Sequence, residues 1–177
     1  GGSIIAPDSV DVELLASFSK MVCRWLDENK DARLVFVAGG GAPARVYQNA
    51  YKAVASKFDD TQKKMLSFAN EDETNYACDW IGITATRLNA QILKTVFGPL
   101  CQQPVITDPT KLCDFTGRII VAAGWKPGFS TDTDAVYLAE QFKADTVVNL
   151  SNIEKVYTDD PRKNPDAKPI DSITWTE

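Results

Sequence analysis

The strongest constraint on this chain is the run R-L-V-F-V-A at residues 33–38, which leads straight into Gly39-Gly40-Gly41. An unbroken apolar run, without polar alternation, predicts a strand buried on both faces, as in a parallel sheet. The glycines then turn the chain into a helix predicted from about residue 43 to 56, with Pro43 near its first turn. The same order recurs downstream. Residues 118–123 (R-I-I-V-A-A) read as a buried strand, residues 124–131 as a turn-rich loop, and residues 131–142 as a helix. Residues 145–150 (D-T-V-V-N-L) read as another buried strand, followed by a polar loop over 151–167 with two prolines. A short strand is predicted at 104–107.

Helical spacing of Val12, Leu15, Phe18, Val22, Trp25 and Leu26 predicts a helix over 11–28, with Asp8 or Ser9 as its cap. A second long helix is predicted over 79–97, ended by Gly98-Pro99. In that reading Asp79 sits at the helix start as a cap, although a carboxylate there can also accept hydrogen bonds from a ribose. The polar stretch 59–75 receives no assignment. Strands alternating with helices give an α/β fold with a mainly parallel central sheet, and no repeat or linker divides the chain, so one domain is expected. In such sheets ligands sit beyond the carboxyl ends of the strands. The loops of unusual composition at 39–41, 124–131 and 151–160 all leave strands at that edge.

Composition narrows the chemistry. The 177 residues contain no histidine, which excludes Ser-His-Asp and Cys-His catalysis and histidine zinc sites. Catalysis here must use lysine, arginine, carboxylates, backbone N–H groups or an oxygen-held metal. A net charge of −5 argues against nucleic acid as a partner. No apolar run approaches a membrane span, and the start lacks signal-peptide character. The four cysteines form no C-x-x-C pair and are expected to be reduced, cytosolic and mostly buried.

Gly39-Gly40-Gly41 at a helix start suits an anion, with Arg45 one turn further on able to reach it. The same residues match G-x-G-x-x-A through Ala44, a dinucleotide fingerprint with Asp59 about twenty residues on. Asp59, however, follows a helix directly and does not end a strand. No G-x-x-x-x-G-K-[ST] loop is present. The densest constellation is Gly124 to Asp134, which combines a lysine, hydroxyls and two carboxylates between a strand and a helix. Ser130 or Thr131 would cap that helix, and Lys126 and the loop's length remain unexplained by capping alone. Tyr157, among amides and acids, can flank an adenine.

Taken together, G-G-S at residues 1–3, G-G-G-x-x-A-R at 39–45, D-W-I-G-I-x-x-T-R-x-N-A at 79–90, K-P-G-F-S-T-D at 126–132 and S-N-I-E-K-V-Y-T-D-D-P at 151–161 resemble the amino-acid kinase superfamily. Within it they resemble the UMP kinases of the archaeal-like type. The resemblance implies a three-layer α/β/α sandwich. It also implies transfer of the ATP γ-phosphate to UMP with Mg²⁺, in a cytoplasmic homo-oligomer, a hexamer by family likeness, with no nucleic-acid or membrane partner.

The resemblance assigns Gly2, Ser3, Gly41, Arg45, Ser151, Asn152, Tyr157 and Asp160 to ATP. It assigns Gly40, Asp79, Trp125, Lys126, Pro127, Gly128, Phe129, Ser130 and Thr131 to UMP. Asp132 would organise the cationic groups at the reaction centre with Arg45, and no protein metal-ligand set is implied. The family has a strand and often a basic residue before the G-G pair, and further elements after the last motif, so the chain is expected to be part of a longer one. Glu154-Lys155 departs from the glycine usual there. The alternatives are a sibling kinase for another small acidic acceptor and an inactive nucleotide-binding module. Isopentenyl phosphate kinases use a histidine this chain lacks.

Overall fold

The computed structural model describes residues 2–66, 71–150, 155–161 and 164–174. A short helix, α1 (Gly2–Ile5), precedes the long α2 (Val12–Glu28). Asp11 caps α2 by accepting from the Leu14 N–H at 2.9 Å. This replaces the expected Asp8 or Ser9. A cap must immediately precede the first helical residue for its oxygen to reach the exposed N–H groups, and those two lie too early.

Strand β1 (Leu34–Val37) pairs in parallel with β2 (Ile119–Ala122), with Leu34 opposite Ile119 and Val37 opposite Ala122. The predicted strand at 104–107 is reduced to one parallel bridge from Ile106 to Ala122. β2 therefore has neighbours on both sides and is buried throughout. β1 is half-buried along its length, less than its apolar run predicts, because among the described residues its only ladder partner is β2.

From β1 the chain enters α3 (Gly41–Ala55), then α4 (Asp60–Met65), which a reciprocal Asp59–Gln62 capping box starts. Helix α5 (Glu71–Phe97) is two turns longer than predicted. Its opening residues are mostly exposed and polar, so no apolar stripe marks them. Helix α6 (Thr131–Phe142) follows β2 with the predicted bounds.

One core gathers Leu15, Val22 and Leu26 of α2, Ala90, Leu93 and Phe97 of α5, and Ile119 and Val121 of β2. Half-buried Phe18 and Phe36 pack against its Phe97, with ring centroids 5.3–6.2 Å apart. Such aromatic contacts add to simple area burial.

Two expectations fail beyond α6. Residues 145–150 form no strand among the described residues, and Val147 and Val148 are 54% and 69% exposed. A β-branched run has a strand's preference, but a strand exists only through a ladder partner, and no strand among the described residues pairs with this segment. The loop expected over 151–167 instead leads into a small antiparallel pair, β3 (Val156–Tyr157) and β4 (Pro169–Ile170). The four cysteines are free, but only Cys78 and Cys101 are buried. Cys23 and Cys113 are exposed, against the expectation that most would be covered. Among the described residues no helix is long and apolar enough to cross a membrane.

Candidate active site

Because β1 and β2 run parallel, the loops leaving them emerge at the same edge of the sheet. Helix α5 passes beside both loops. Its residues Asp79, Gly82, Ile83 and Thr86, spaced i, i+3, i+4 and i+7, form one face. Between this face, the start of α3 and the loop into α6 lies a cavity of about 360 Å³. That volume is in the range of small-molecule sites.

The glycine loop forms one wall. Gly41 has φ +66°, and a Cβ on it would meet the carbonyl oxygens of Gly2 at 2.5 Å and Ala6 at 2.7 Å. Gly2 packs against the backbone of Gly39 and Gly41, so it stands behind the loop and not on the cavity wall. Buried Asn89 donates to the carbonyls of Gly39 (2.7 Å) and Gly40 (3.1 Å), which fixes the loop from α5. A helix start leaves four N–H positions without intrahelical partners. Here Pro43 has none, and Ala42 donates to the Ala6 carbonyl at 3.0 Å. Gly40 and Gly41 remain, and both line the cavity.

Arg45 and Lys126 bring positive charge to the wall, and neither is ion-paired among the described residues. The Lys126 ammonium lies 3.9 Å from the Trp125 ring centroid and 4.8 Å from that of Phe129. The two rings are themselves 4.7 Å apart. This is a cation–π seat at the cavity edge. Asp108 stands on the neighbouring loop. Its carboxyl is held below the ordinary range chiefly by the Thr110 hydroxyl (2.6 Å), with the Thr110 N–H, Lys111 and Lys126 contributing less and burial opposing.

Asp79 is not a cap. It lies two turns inside α5, where its Oδ2 accepts from the Gly128 N–H at 3.0 Å. It therefore ties the loop across the cavity mouth, and its Oδ1 carries no hydrogen bond among the described residues. Thr86, buried, accepts from the Gly124 N–H at 2.8 Å and donates to the Ile83 carbonyl at 2.6 Å. Ser130 caps α6 as expected, accepting from the Thr133 N–H at 3.1 Å. Asp134, fully buried one turn into α6, accepts from the Trp125 N–H at 3.2 Å, and burial pushes its carboxyl above the ordinary range despite that bond.

Of the residues singled out in the sequence, the cavity unites Gly40, Gly41, Arg45, Asp79, Lys126, Phe129, Ser130 and Thr131. Trp125, Pro127 and Gly128 shape the same loop without lining the cavity, and Asp132 is exposed in the first turn of α6. Tyr157, half-buried in β3, and exposed Asp160 do not line it. Ser151 and Asn152 lie outside the described residues, as does the side chain of Ser3. Sequence reasoning assigned no role to Gln48, Gly82, Ile83, Thr86 or Gly124, which line the cavity, or to Asn89 behind it. The helical period running from Asp79 through Gly82 and Thr86 to Asn89 was the available signal. Among the described residues no three His, Cys, Asp or Glu side chains form a group able to hold a metal ion.

The chain matches the Amino acid kinase family over residues 1–177. It is 36% identical over 180 residues to a protein named uridylate kinase from Pyrococcus abyssi (strain GE5 / Orsay), a match covering 100% of this chain and 71% of that one. It is 35% identical over 180 residues to a uridylate kinase from Methanospirillum hungatei JF-1, covering 100% and 67%. The crystal structure of uridylate kinase from Archaeoglobus fulgidus superposes with a TM-score of 0.68 at 30% identity, covering 95% of this chain and 68% of that one.

Proposed function

The chain belongs to the amino acid kinase family, and on that footing we propose that it transfers the γ-phosphate of ATP to UMP, giving ADP and UDP. The observation that carries this reading is one cavity lined by an anion-ready glycine loop, two cations without ion pairs among the described residues and an Asp79 carboxylate. An acceptor phosphate suits Gly40 and the Lys126–Thr131 loop, while Asp79 Oδ1 suits a ribose hydroxyl.

In the reaction a phosphate oxygen of UMP bonds to the γ-phosphorus as the bond to the β–γ bridging oxygen breaks, and ADP leaves with the electron pair. Such transfer needs placement in line and neutralised charge more than covalent help. Gly41 N–H and Arg45 would neutralise the transferring group, and Asp132 would orient the cations around it. The donor would be held by Gly2, Ser3, Ser151, Asn152, Tyr157 and Asp160, as the family resemblance assigns.

In this reading Mg²⁺ would be held by the bound phosphates and by the Asp132 carboxylate, which is exposed in the first turn of α6 beside the cavity-wall residue Thr131. Bound there, it would offset the charge that develops on the phosphates.

The same reading includes a three-layer α/β/α sandwich in a single domain. Ile119 and Val121 of β2 face the cluster built with α2 and α5. The alternate residues Ile120 and Ala122 are equally buried outside that cluster, and α6 touches β1. This supports helices on both faces of the sheet. Cytoplasmic placement, a part in pyrimidine biosynthesis and a homo-oligomeric state belong to the proposal on family grounds.

The test is ADP release by the full chain with ATP, Mg²⁺ and a panel of acceptors. UMP is expected to be the fastest. Turnover of another acceptor alone favours a sibling kinase, and nucleotide binding without turnover favours an inactive module. Asp132→Asn is expected to lower kcat by roughly 100-fold or more, the scale of removing one preorganised charge contact, with little change in KM for UMP. An unchanged kcat removes Asp132 from the reaction centre.

A further inference from the structure

The loop that closes the acceptor side of the cavity makes no strand pairing. Its internal backbone bond is a 3.3 Å contact from the Phe129 N–H to the Lys126 carbonyl. Its position is set by side chains reaching in from two helices. Trp125 is held at both of its backbone groups. Its N–H donates to Asp134 Oδ2 from α6 at 3.2 Å, and its carbonyl accepts from an Arg87 terminal nitrogen of α5 at 3.2 Å.

Neither holder is well satisfied by this arrangement. Asp134 is 0% exposed, yet among the described residues its Oδ1 has no hydrogen-bond partner, and the Arg87 Nε is likewise buried without one. Leaving a carboxylate oxygen and a guanidinium nitrogen buried without partners is costly, and beyond the Trp125 carbonyl Arg87 also stands over the Trp80 ring at 5.9 Å. What the two side chains share is their target, the backbone of Trp125. The Trp125 ring packs on Phe129 and, edge-on at 6.3 Å, on Tyr137 of α6, and the Lys126 ammonium sits over it. Lys126 and Phe129 are cavity-wall residues. Holding the Trp125 backbone thus holds the ring, and the ring sets where Lys126 and Phe129 stand.

We propose that Arg87 and Asp134 are positioning residues which grip Trp125 from opposite sides and so fix the acceptor-binding loop without touching the acceptor. Identifying that acceptor as UMP rests on the function proposed above, whereas the grip itself does not.

The experiment combines hydrogen exchange of the 124–129 segment with steady-state kinetics on the full chain. The variants are Asp134→Leu, Asp134→Asn and Arg87→Met. Losing one backbone grip worth about 1.4 kcal/mol corresponds to roughly tenfold faster exchange of the segment in Asp134→Leu and Arg87→Met. KM for UMP is expected to rise by a similar factor of about ten in both, with KM for ATP within about twofold. Asp134→Asn keeps an oxygen able to accept from the Trp125 N–H, so it is expected to restore both readouts to near the wild-type values.

Unchanged exchange in Asp134→Leu and Arg87→Met overturns the proposal, as does a KM for ATP that rises as much as that for UMP. Should Asp134→Leu fail to fold, Arg87→Met alone decides. Wild-type protein that does not use UMP refutes the proposed function, and the exchange rates still judge the grip.

Discussion

At the scale of single residues, two glycines show how differently the same backbone geometry is used. Gly41 (φ +66°) and Gly98 (φ +49°) both adopt the left-handed region. A Cβ at Gly98 meets nothing within 4 Å, while at Gly41 it would press on the carbonyls of Gly2 and Ala6. Gly98→Ala should therefore cost about 1 kcal/mol, the left-handed penalty alone. Gly41→Ala should cost at least about 2–3 kcal/mol, because backbone oxygens cannot swing aside, and so lower Tm by roughly 4–12 °C. Parallel thermal melts check the contrast, and equal losses would mean that α1 does not bear on the glycine loop. Gly41 was legible in the sequence as part of an anion-binding turn. Its contact with Gly2 was not, because only the fold brings residues so far apart in the chain together.

At the scale of elements, α5 carries more of the site than its sequence announces. Asp79, Gly82, Ile83 and Thr86 line the cavity, Asn89 holds the glycine loop, and Ala90, Leu93 and Phe97 enter the core. The reading of Asp79 as a cap failed because the first two turns of α5 are polar and exposed, so the apolar period begins only where the helix meets the sheet. By contrast, α6 and its Ser130 cap were legible, since a hydroxyl before an acidic first turn is a purely local signal. Residues 145–150 misled for the opposite reason. Their composition is that of a strand, but a ladder is a property of two segments, and composition describes one. The β3–β4 pair, two residues a side, is too short to show alternation at all.

Gly82 offers a test of what α5 is shaped for. A glycine in mid-helix costs about 1 kcal/mol relative to alanine. An alanine Cβ there would come within 2.8 Å of Gln48 Nε2, which donates to the Cys78 carbonyl at 2.8 Å. Gln48 is flexible and can yield at the loss of about 1 kcal/mol of hydrogen bond. Gly82→Ala should therefore leave Tm nearly unchanged, while the added methyl narrows the cavity and raises KM for UMP by about tenfold. Melting and kinetics on the same variant check this, and an unchanged KM would show that the acceptor does not reach α5.

At the scale of the whole molecule, two loops at one parallel-sheet edge face a single helix that spans from the cavity to the core. That helix must hold its phase along its entire length. Each residue of an α-helix turns the chain by about 100°. One extra residue after Ile83 would leave Thr86, Asn89 and the core residues in place but swing Asp79 and Gly82 away from the cavity. Binding of UMP should be lost in such a variant while the Phe97 core persists. One extra residue after Leu112, which is 90% exposed in the loop between α5 and β2, should pass with less than about 1 kcal/mol of effect. Ligand-induced thermal shifts on the two insertions would separate these outcomes. Length changes are thus expected to pass where this chain is loop and to fail along α5, so the angular phase of one helix, set residue by residue, is what keeps the site and the core of this protein in step.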